Sequence, residues 1–419
     1  MEVLVVGGGI GGLTLALCLY RAGISCRIYE AAPAMRPLGV GINVLPHASK
    51  ELARLGLELE LTRASVLTRE AVFFNRFGQL IYREPLGRFA GYDDPQYSIH
   101  RGELQLVLFE AASKRLGADR ISTGWKCIGI EQDASGATAL FNDAVSGHAL
   151  PPQRGDVVVA CDGLHSIIRK QLHPDEGPPL YSGVNMWRGV SVWAPILTGA
   201  SMIRAGWLAN GKMVIYPIRN DVDSQGRQLV NWVAELATTR YKQRDWSRPG
   251  DINDFIGAFK DWHFDWLDVP ALLTAAETIL EFPMVDQEPL QWWTRGRVTL
   301  LGDAAHPMYP RGSNGAGQAI LDARALSDAL VANTNPTEAL KAYEAQRLPF
   351  TAEVVRINRR NPPDAILREV YERTGDQPFE HVEDVISQKE LAAVSEGYKR
   401  VAGFDKPSLA AATGEVPGK

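Results

Sequence analysis

The sequence lacks several features that would place it in other protein classes. No apolar run approaches the roughly 18 residues that span a membrane. The four cysteines are scattered without a C-x-x-C pair, which indicates free thiols in a reducing compartment. The eight histidines never cluster with acids or cysteines at ligand spacing, so no metal site is expected. The first strand begins at Glu2, which leaves no room for a signal peptide and predicts a cytoplasmic protein.

Charge and length exclude further classes. A net charge of −5 gives no indication of nucleic-acid or membrane binding, so the expected partners are small molecules, and the protein is expected to be a monomer or homodimer. A chain of 419 residues is long enough for two domains or one elaborate domain.

What the chain does have is a glycine-rich turn at its start. Residues 2–6 form an apolar, valine-rich run typical of a buried parallel strand. Gly7, Gly9 and Gly12 follow it in a G-x-G-x-x-G pattern. The first glycine permits the tight turn, the second lets the backbone approach a pyrophosphate, and the third lets the helix pack on the strand. Residues 13–22 are predicted to form that helix, whose N-terminus favours phosphate.

A second predicted strand, residues 25–29, ends in Glu30. A carboxylate at that position accepts hydrogen bonds from ribose hydroxyls and would repel a 2′-phosphate, so it suits FAD or NAD better than NADP. Strand, turn, helix and acid in register predict a dinucleotide site far more strongly than a lone glycine pattern does.

The middle of the chain differs from the rest in its tryptophan content and in its predicted strands. Nine of the ten tryptophans lie between Trp187 and Trp293, among alternating strands predicted at 186–193, 212–218 and 228–236. This pattern predicts a sheet that covers a flat ligand, or a sheet whose aromatic residues fill its own core. No second G-x-G-x-x-G follows a strand, which argues against a separate NAD(P)H domain.

A second motif, residues 302–315, runs from the end of a predicted strand through a loop rich in proline and glycine to the start of a predicted helix. Asp303 can accept hydrogen bonds from a polyol such as ribityl. The N–H groups at the start of that helix would stabilise negative charge on a reduced flavin. His306 is interpreted as a structural residue at the strand end.

These residues resemble the class A flavoprotein monooxygenases, aromatic hydroxylases of the para-hydroxybenzoate hydroxylase type. Three motifs match in order: residues 7–12 with Glu30, the Asp-Gly motif within 160–169, and the Gly-Asp motif at 302–303. The segments 36–43, 95–104, 186–190 and 282–286 are most similar to the bacterial phenazine hydroxylases that act on 5-methylphenazine-1-carboxylate.

The resemblance implies an α/β fold: an FAD-binding Rossmann-like domain of the glutathione-reductase type, an inserted mixed β-sheet substrate domain, and C-terminal helices. We expect the FAD domain at 1–70, 100–175 and 285–335, the substrate domain at 71–99 and 176–284, helices at 336–406 and a disordered tail at 407–419.

The residues and the resemblance together give a set of site residues. The predicted FAD-binding residues are Gly7, Gly9, Gly12, Glu30, Arg36, Arg101, Gln105, Asp162, Gly163, Gly302, Asp303 and Gly315. The residues expected at the reacting edge of the flavin are Pro310, Arg311, Gly312 and Gly315. The candidate substrate contacts are Trp187, Arg188, Tyr216, Tyr309 and Pro310, and Trp187 and Arg188 point to opposite faces of a strand, so at most one of them should meet the ligand.

Two positions depart from the family pattern. Cys161 stands where the family more usually has alanine, and is either a packed small residue or an oxidant-sensitive thiol. Arg311 is a large cation after Pro310; it is either a solvated loop residue or a group that attracts an anionic substrate.

The implied activity is a monooxygenase that uses FAD, NADH or NADPH, and O2 to hydroxylate a planar aromatic or N-heteroaromatic substrate through a flavin C4a-hydroperoxide, with or without loss of a carboxyl group. A phenazine carboxylate is one such substrate. The alternatives are a salicylate- or pyridine-type or antibiotic-like polycyclic substrate, a flavin oxidase or dehydrogenase, and a flavin-binding protein that sequesters a planar ligand without turnover.

Overall fold

The computed structural model describes residues 1–238, 249–360 and 363–411. Its first layer is a five-stranded parallel sheet whose strands, in spatial order, are Val298–Leu300, Val157–Ala160, Glu2–Val6, Ser25–Glu30 and Ile121–Thr123. Residues 3–6 and 157–160 of two adjacent inner strands are buried valine, leucine and alanine, as expected of a parallel sheet covered on both faces.

Helices cover this sheet. The helix Ile10–Arg21 packs against both Arg101–Leu116 and Gly315–Ala332. A three-stranded antiparallel sheet, Ala149–Gly155, Ala137–Asp143 and Trp125–Gln132, lies alongside. The further helices of the described chain are Pro46–Arg54, Glu58–Ala64, Ile167–Leu172, Val269–Thr274, Pro336–Arg360, Ala365–Thr374, Gln388–Ala402 and Lys406–Ala411.

The second layer is a seven-stranded mixed sheet. In spatial order its strands are Ile279–Asp286, Leu180–Trp193, Gln228–Ala237, Lys212–Arg219, Ser201–Gly206, Glu70–Phe74 and Leu80–Pro85. The pairing of Ser201–Gly206 with Glu70–Phe74 is parallel, and the other pairings are antiparallel. Smaller sheets join Gly41–Val44, Tyr97–His100 and Ser65–Leu67, and His263–Phe264 with Leu267–Asp268.

The two faces of the seven-stranded sheet pack differently. One face carries Trp187 and Trp232 against Phe255, Phe259 and Trp262 in a buried aromatic cluster. The tryptophan-rich stretch therefore supplies much of the sheet's own core. Trp246, one of the nine tryptophans of that stretch, lies outside the described residues. The other face is covered by the helices Ala365–Thr374 and Gln388–Ala402, and we call it the inner face.

The predicted fold class is confirmed: a parallel dinucleotide-type sheet, a mixed sheet and C-terminal helices. The strands Ala149–Gly155, Ser201–Gly206 and Ile279–Asp286 were not expected from the sequence. Residues 407–411 belong to the last helix, so the start of the expected disordered tail is helical, while 412–419 lie outside the described residues. The domain boundaries stay a prediction.

Candidate functional site

The glycine turn has the geometry that its sequence predicts. Gly7 has a φ of +110°, and a Cβ there would collide with the main chain of Cys161. A Cβ on Gly12 would collide with the carbonyl of Gly7. Gly9 faces open space and begins the helix Ile10–Arg21 without a side-chain cap. The first N–H groups of that helix are thus left for an anionic ligand.

Glu30 and Gln105 lie around this turn. Glu30 accepts hydrogen bonds from the backbone N–H of Gly8 at 2.6 Å and of Ala32 at 2.7 Å. Gln105 donates from Nε2 to the carbonyl oxygen of Gly8 at 2.8 Å. The two side chains therefore bind the N–H and the carbonyl oxygen of the same residue, Gly8, and the Glu30 carboxylate keeps lone pairs for further donors.

The Asp-Gly motif lies directly under the same turn. Asp162 is half-buried and accepts from the N–H of Ile167 through Oδ2 at 2.9 Å, while its buried Oδ1 has no hydrogen-bond partner within the described chain. Burial raises the pKa of Asp162. Gly163, with a φ of +74°, borders open space. Burial also raises the pKa of the Cys161 thiol well above its ordinary value, which favours a packed, unreactive cysteine.

The Gly-Asp motif is held by a buried ionic group. Asp322 accepts from the N–H of Gly302 at 3.1 Å, and from Arg347 Nε at 2.7 Å. His306 Nε2 lies 2.5 Å from the same carboxylate, so His306 has the structural position that the sequence indicates. Asp303 itself is exposed, and its Oδ1 lies 3.8 Å from the position that a Cβ on Gly315 would take.

The loop 310–315 leads into the helix Gly315–Ala332, which also lacks a side-chain cap. Asn314 donates from Nδ2 to the Tyr398 hydroxyl at 2.7 Å, and its buried Oδ1 has no partner in the part of the chain described. Pro310 is exposed and Tyr309 is buried. The Arg311 guanidinium lies 6.0 Å from the centre of the Tyr309 ring. Tyr398 was not predicted, because it reaches this loop from the helix Gln388–Ala402, far along the chain.

The predicted positions Arg36 and Arg101 lie on one rim of the site. Both are exposed, and Arg101 packs beside Gly39, whose Cβ position is 3.7 Å from Arg101 Cδ. The backbone N–H of Arg101 donates to the carbonyl of Val40 at 2.9 Å. Segment 36–41 and the start of the helix Arg101–Leu116 are thus brought together.

Arg188 and Tyr216 meet at Gly41. Arg188 Nη2 donates to the carbonyl oxygen of Gly41 at 2.7 Å, and the Tyr216 hydroxyl donates to the same oxygen at 2.8 Å. Asn231 Oδ1 accepts from the N–H of Gly41 at 2.7 Å. Burial lowers the pKa of Arg188 and raises that of Tyr216. Both side chains belong to the inner face, where Tyr309 also packs.

Trp187 does not join them. Its ring stacks on Phe255 at 5.0 Å between centroids, within the aromatic cluster on the opposite face of the sheet. The alternation of side chains along a strand separates Trp187 from Arg188. The structure therefore corrects the expectation of substrate contact for Trp187, and leaves Arg188 as the member of this pair on the inner face.

A charged cluster on the inner face has no counterpart in the sequence prediction. Lys212 is 1% exposed and lies 2.9 Å from Glu235 and 2.5 Å from Asp364. Arg204 Nε lies 3.3 Å from the other oxygen of Asp364. These charges come from three strands and from the residue before a distant helix, so no local pattern brings them together.

The residues present fit an FAD. Two uncapped helix N-termini stand at the carboxyl edge of the parallel sheet, where open α/β sheets bind ligands. Gly9 and Gly163 leave the backbone open, Glu30 suits a ribose, and the exposed Asp303 suits a polyol. The buried Asp162 Oδ1 and Asn314 Oδ1 are acceptors still without donors.

Comparison with known proteins decides the family. The model for the FAD binding domain matches residues 1–358. The chain belongs to this family.

Named relatives specify the class of enzyme. The chain is 42% identical to the phenazine 1,6-dicarboxylic acid hydroxylase PhzS of Lysobacter antibioticus over 362 residues, which cover 85% of this chain and 89% of that protein. It is 36% identical to the 3-amino-4-hydroxybenzoate 2-monooxygenase PtmB3 of Streptomyces platensis, over 85% of this chain and 87% of that protein.

Among solved structures, HpxO of Klebsiella pneumoniae complexed with FAD and uric acid shares the fold. Its TM-score is 0.75 at 24% identity, with 98% of this chain and 97% of that chain covered. The chain is therefore an FAD-dependent aromatic hydroxylase, and the predicted family, cofactor FAD and enzyme class are confirmed. The alternative of a ligand-sequestering protein without turnover loses its support, because the relatives are named as hydroxylases and monooxygenases.

The described ranges contain neither a membrane-spanning helix nor a metal-binding cluster. No helix there is long and apolar enough to cross a membrane. No group of three or more His, Cys, Asp or Glu side chains in those ranges is placed to hold a metal ion.

Proposed function

We propose that this FAD-dependent enzyme uses NADH or NADPH and O2 to hydroxylate a planar aromatic or N-heteroaromatic carboxylate, with a phenazine carboxylate as the best candidate. The observation that carries this proposal is the inner face of the seven-stranded sheet, where the half-buried Arg188 and the buried Tyr216 lie on the same side as Tyr309, next to Pro310. A half-buried cation beside aromatic and apolar surface suits a flat anion. The phenazine 1,6-dicarboxylic acid hydroxylase at 42% identity supports this choice.

Bound FAD supplies the redox chemistry and the activation of dioxygen, and the chain supplies binding and orientation. We assign the FAD to Gly7, Gly9, Gly12, Glu30, Arg36, Arg101, Gln105, Asp162, Gly163, Gly302, Asp303 and Gly315. The loop 310–315 ends at an uncapped helix start, and we assign to the main-chain N–H groups of residues 311–315 the stabilisation of negative charge on the flavin.

The protein also excludes water. Tyr309 is 7% exposed, and the C-terminal helices cover the inner face. A site closed in this way protects reactive intermediates from side reactions and strengthens charge interactions. In this proposal, Tyr309, Pro310 and Arg311 stand at the boundary between flavin and substrate, and Arg311 adds positive charge there.

The test is oxidation of NADH and of NADPH by the flavin-loaded protein with phenazine, pyridine and aminohydroxybenzoate carboxylates, followed by product mass. Stimulation by a phenazine carboxylate with gain of one oxygen, or exchange of a carboxyl group for a hydroxyl, supports the proposal. Stimulation only by single-ring acids would favour the second candidate, a 3-amino-4-hydroxybenzoate-type hydroxylase, which the 36% identical relative suggests.

A further inference from the structure

Four residues on the inner face form one cross-strand row. Arg188 is in register with Val233, Val233 with Val214, and Val214 with Arg204. Residues directly opposite each other on neighbouring strands project from the same face of a sheet. Two arginines therefore stand at the ends of a row whose middle consists of two valines.

The spacing of the row follows from sheet geometry. Arg188 and Arg204 are three strand intervals apart, which places their Cα atoms roughly 14 Å from each other. The two valines between them keep 9% and 8% of their surface exposed, whereas Ile218 and Met284 on the same face are fully buried. The row is thus a small apolar floor, not completely covered, with a cation at each end.

The charges of the two arginines are not fully compensated. Arg188 forms no ion pair within the described chain. Its Nη2 donates a hydrogen bond to the Gly41 carbonyl oxygen, and its buried Nε has no hydrogen-bond partner in that part of the chain. Arg204 faces Asp364 at 3.3 Å, but Lys212 lies closer to that carboxylate, at 2.5 Å. Lys212 also forms an ion pair with Glu235. The cluster therefore has three cations, Arg188, Arg204 and Lys212, but only two carboxylates, and both carboxylates contact Lys212.

We propose that Arg188 and Arg204 are the specificity residues of the substrate site and bind the two carboxylates of a planar aromatic dianion that lies over Val214 and Val233. This inference rests on the proposed function and names its substrate class. Guanidinium groups match carboxylates in a bidentate geometry. A fused-ring dicarboxylate reaches both ends of the row, whereas a monocarboxylate engages only one of them.

The neighbours of the row explain how the arginines keep their positions. The Tyr216 hydroxyl shares the Gly41 carbonyl with Arg188, and the Phe73 ring lies 5.5 Å from the Arg204 guanidinium. Each arginine is therefore oriented before a ligand binds, which lowers the entropy cost of binding.

The test is equilibrium binding, followed by the change in flavin absorbance, of phenazine-1,6-dicarboxylate, phenazine-1-carboxylate and unsubstituted phenazine. The proteins are the wild type and the variants Arg188→Gln, Arg204→Gln and Arg204→Lys. Arg219→Gln is the matched control, because Arg219 lies on the same sheet and is exposed. FAD content and thermal midpoint establish that each variant is folded.

We expect the wild type to bind the dicarboxylate more tightly than the monocarboxylate. Each Gln variant should weaken dicarboxylate binding by about 10- to 100-fold and remove the preference for the second carboxylate, with Arg204→Lys intermediate and Arg219→Gln unchanged. Binding of unsubstituted phenazine should barely change.

Two results would overturn the inference: a wild type without preference for the dicarboxylate, or folded Gln variants that retain that preference. Because binding is measured without turnover, these results stay separate from the proposed function. That function fails instead if the wild type binds phenazine carboxylates but oxidises neither nicotinamide cofactor in their presence.

Discussion

The hydroxyl of Tyr398 occupies the place that a Cβ on Gly312 would take. Gly312 has a φ of +73°, and Tyr398 donates to Asn358 Oδ1 at 2.9 Å while it accepts from Asn314. The helix Gln388–Ala402 thus packs on the loop that we assign to the flavin edge. The C-terminal helices are part of the active site's support.

Gly312→Ala should therefore damage both stability and the site. The methyl group meets the Tyr398 hydroxyl and the left-handed backbone adds strain, so we expect a loss of about 1–3 kcal/mol in the free energy of unfolding. Urea denaturation measures this loss. Gly177→Ala is the control, since a Cβ there meets nothing within 4 Å.

A double variant separates the two causes. If the contact matters, Gly312→Ala in a Tyr398→Phe background should cost less than it does in the wild type, because the hydroxyl is gone. Equal costs in both backgrounds would mean that backbone strain alone is responsible.

Asp303→Ala should lose much of its FAD while the protein stays folded. Asp303 is exposed beside the start of the helix Gly315–Ala332. Its side chain forms no hydrogen bond within the described chain, so its removal should leave the fold intact. The ratio of flavin to protein absorbance after gel filtration, with circular dichroism, checks this expectation. Asp328→Ala, at an exposed position on the same helix, should keep its flavin. Full FAD occupancy in Asp303→Ala would remove the role that we assign to this carboxylate.

His47 should make stability depend on pH. It is buried, stacks on Phe404 at 5.6 Å between ring centroids, and neither ring nitrogen has a partner in the described chain. Burial lowers the pKa of His47 to about 3. Because the folded pKa is depressed, the neutral ring contributes stability that is present above the unfolded pKa of 6.5 and is lost as the pH falls towards 3.

We therefore expect His47→Leu to show a smaller loss of unfolding free energy between pH 7.5 and pH 5 than the wild type, as measured by urea denaturation at each pH. His263→Gln is the control, because His263 is exposed. An unchanged pH slope in His47→Leu would show that other groups cause the acid sensitivity.

The FAD half of the site was predictable because its signals are local. Gly7, Gly9 and Gly12 are spaced by the turn itself, and Glu30 lies one helix later at the end of the next strand. Such spacings depend on backbone geometry, which a sequence displays directly. The Gly302-Asp303 motif is local in the same way.

The residues of the inner face, to which we assign the substrate, were harder to predict. Arg204, Lys212 and Asp364 meet only through strand register and a helix far along the chain. Trp187 was expected to contact the substrate because it lies in the tryptophan-rich stretch. It instead fills the core, because its ring packs on Phe255 on the opposite face of the sheet. Period-two alternation separates Trp187 from Arg188 but does not tell which of the two faces the ligand.

One measurement tests the central claim most directly: oxidation of NADH and NADPH by the purified flavin-loaded enzyme with phenazine-1,6-dicarboxylate, followed by the mass of the product. We predict that the dicarboxylate stimulates oxidation of one of the two nicotinamide cofactors and leaves as a product with one added oxygen or with a hydroxyl in place of a carboxyl group. Unstimulated oxidation with unchanged phenazine, in enzyme that holds its full FAD, would contradict the account.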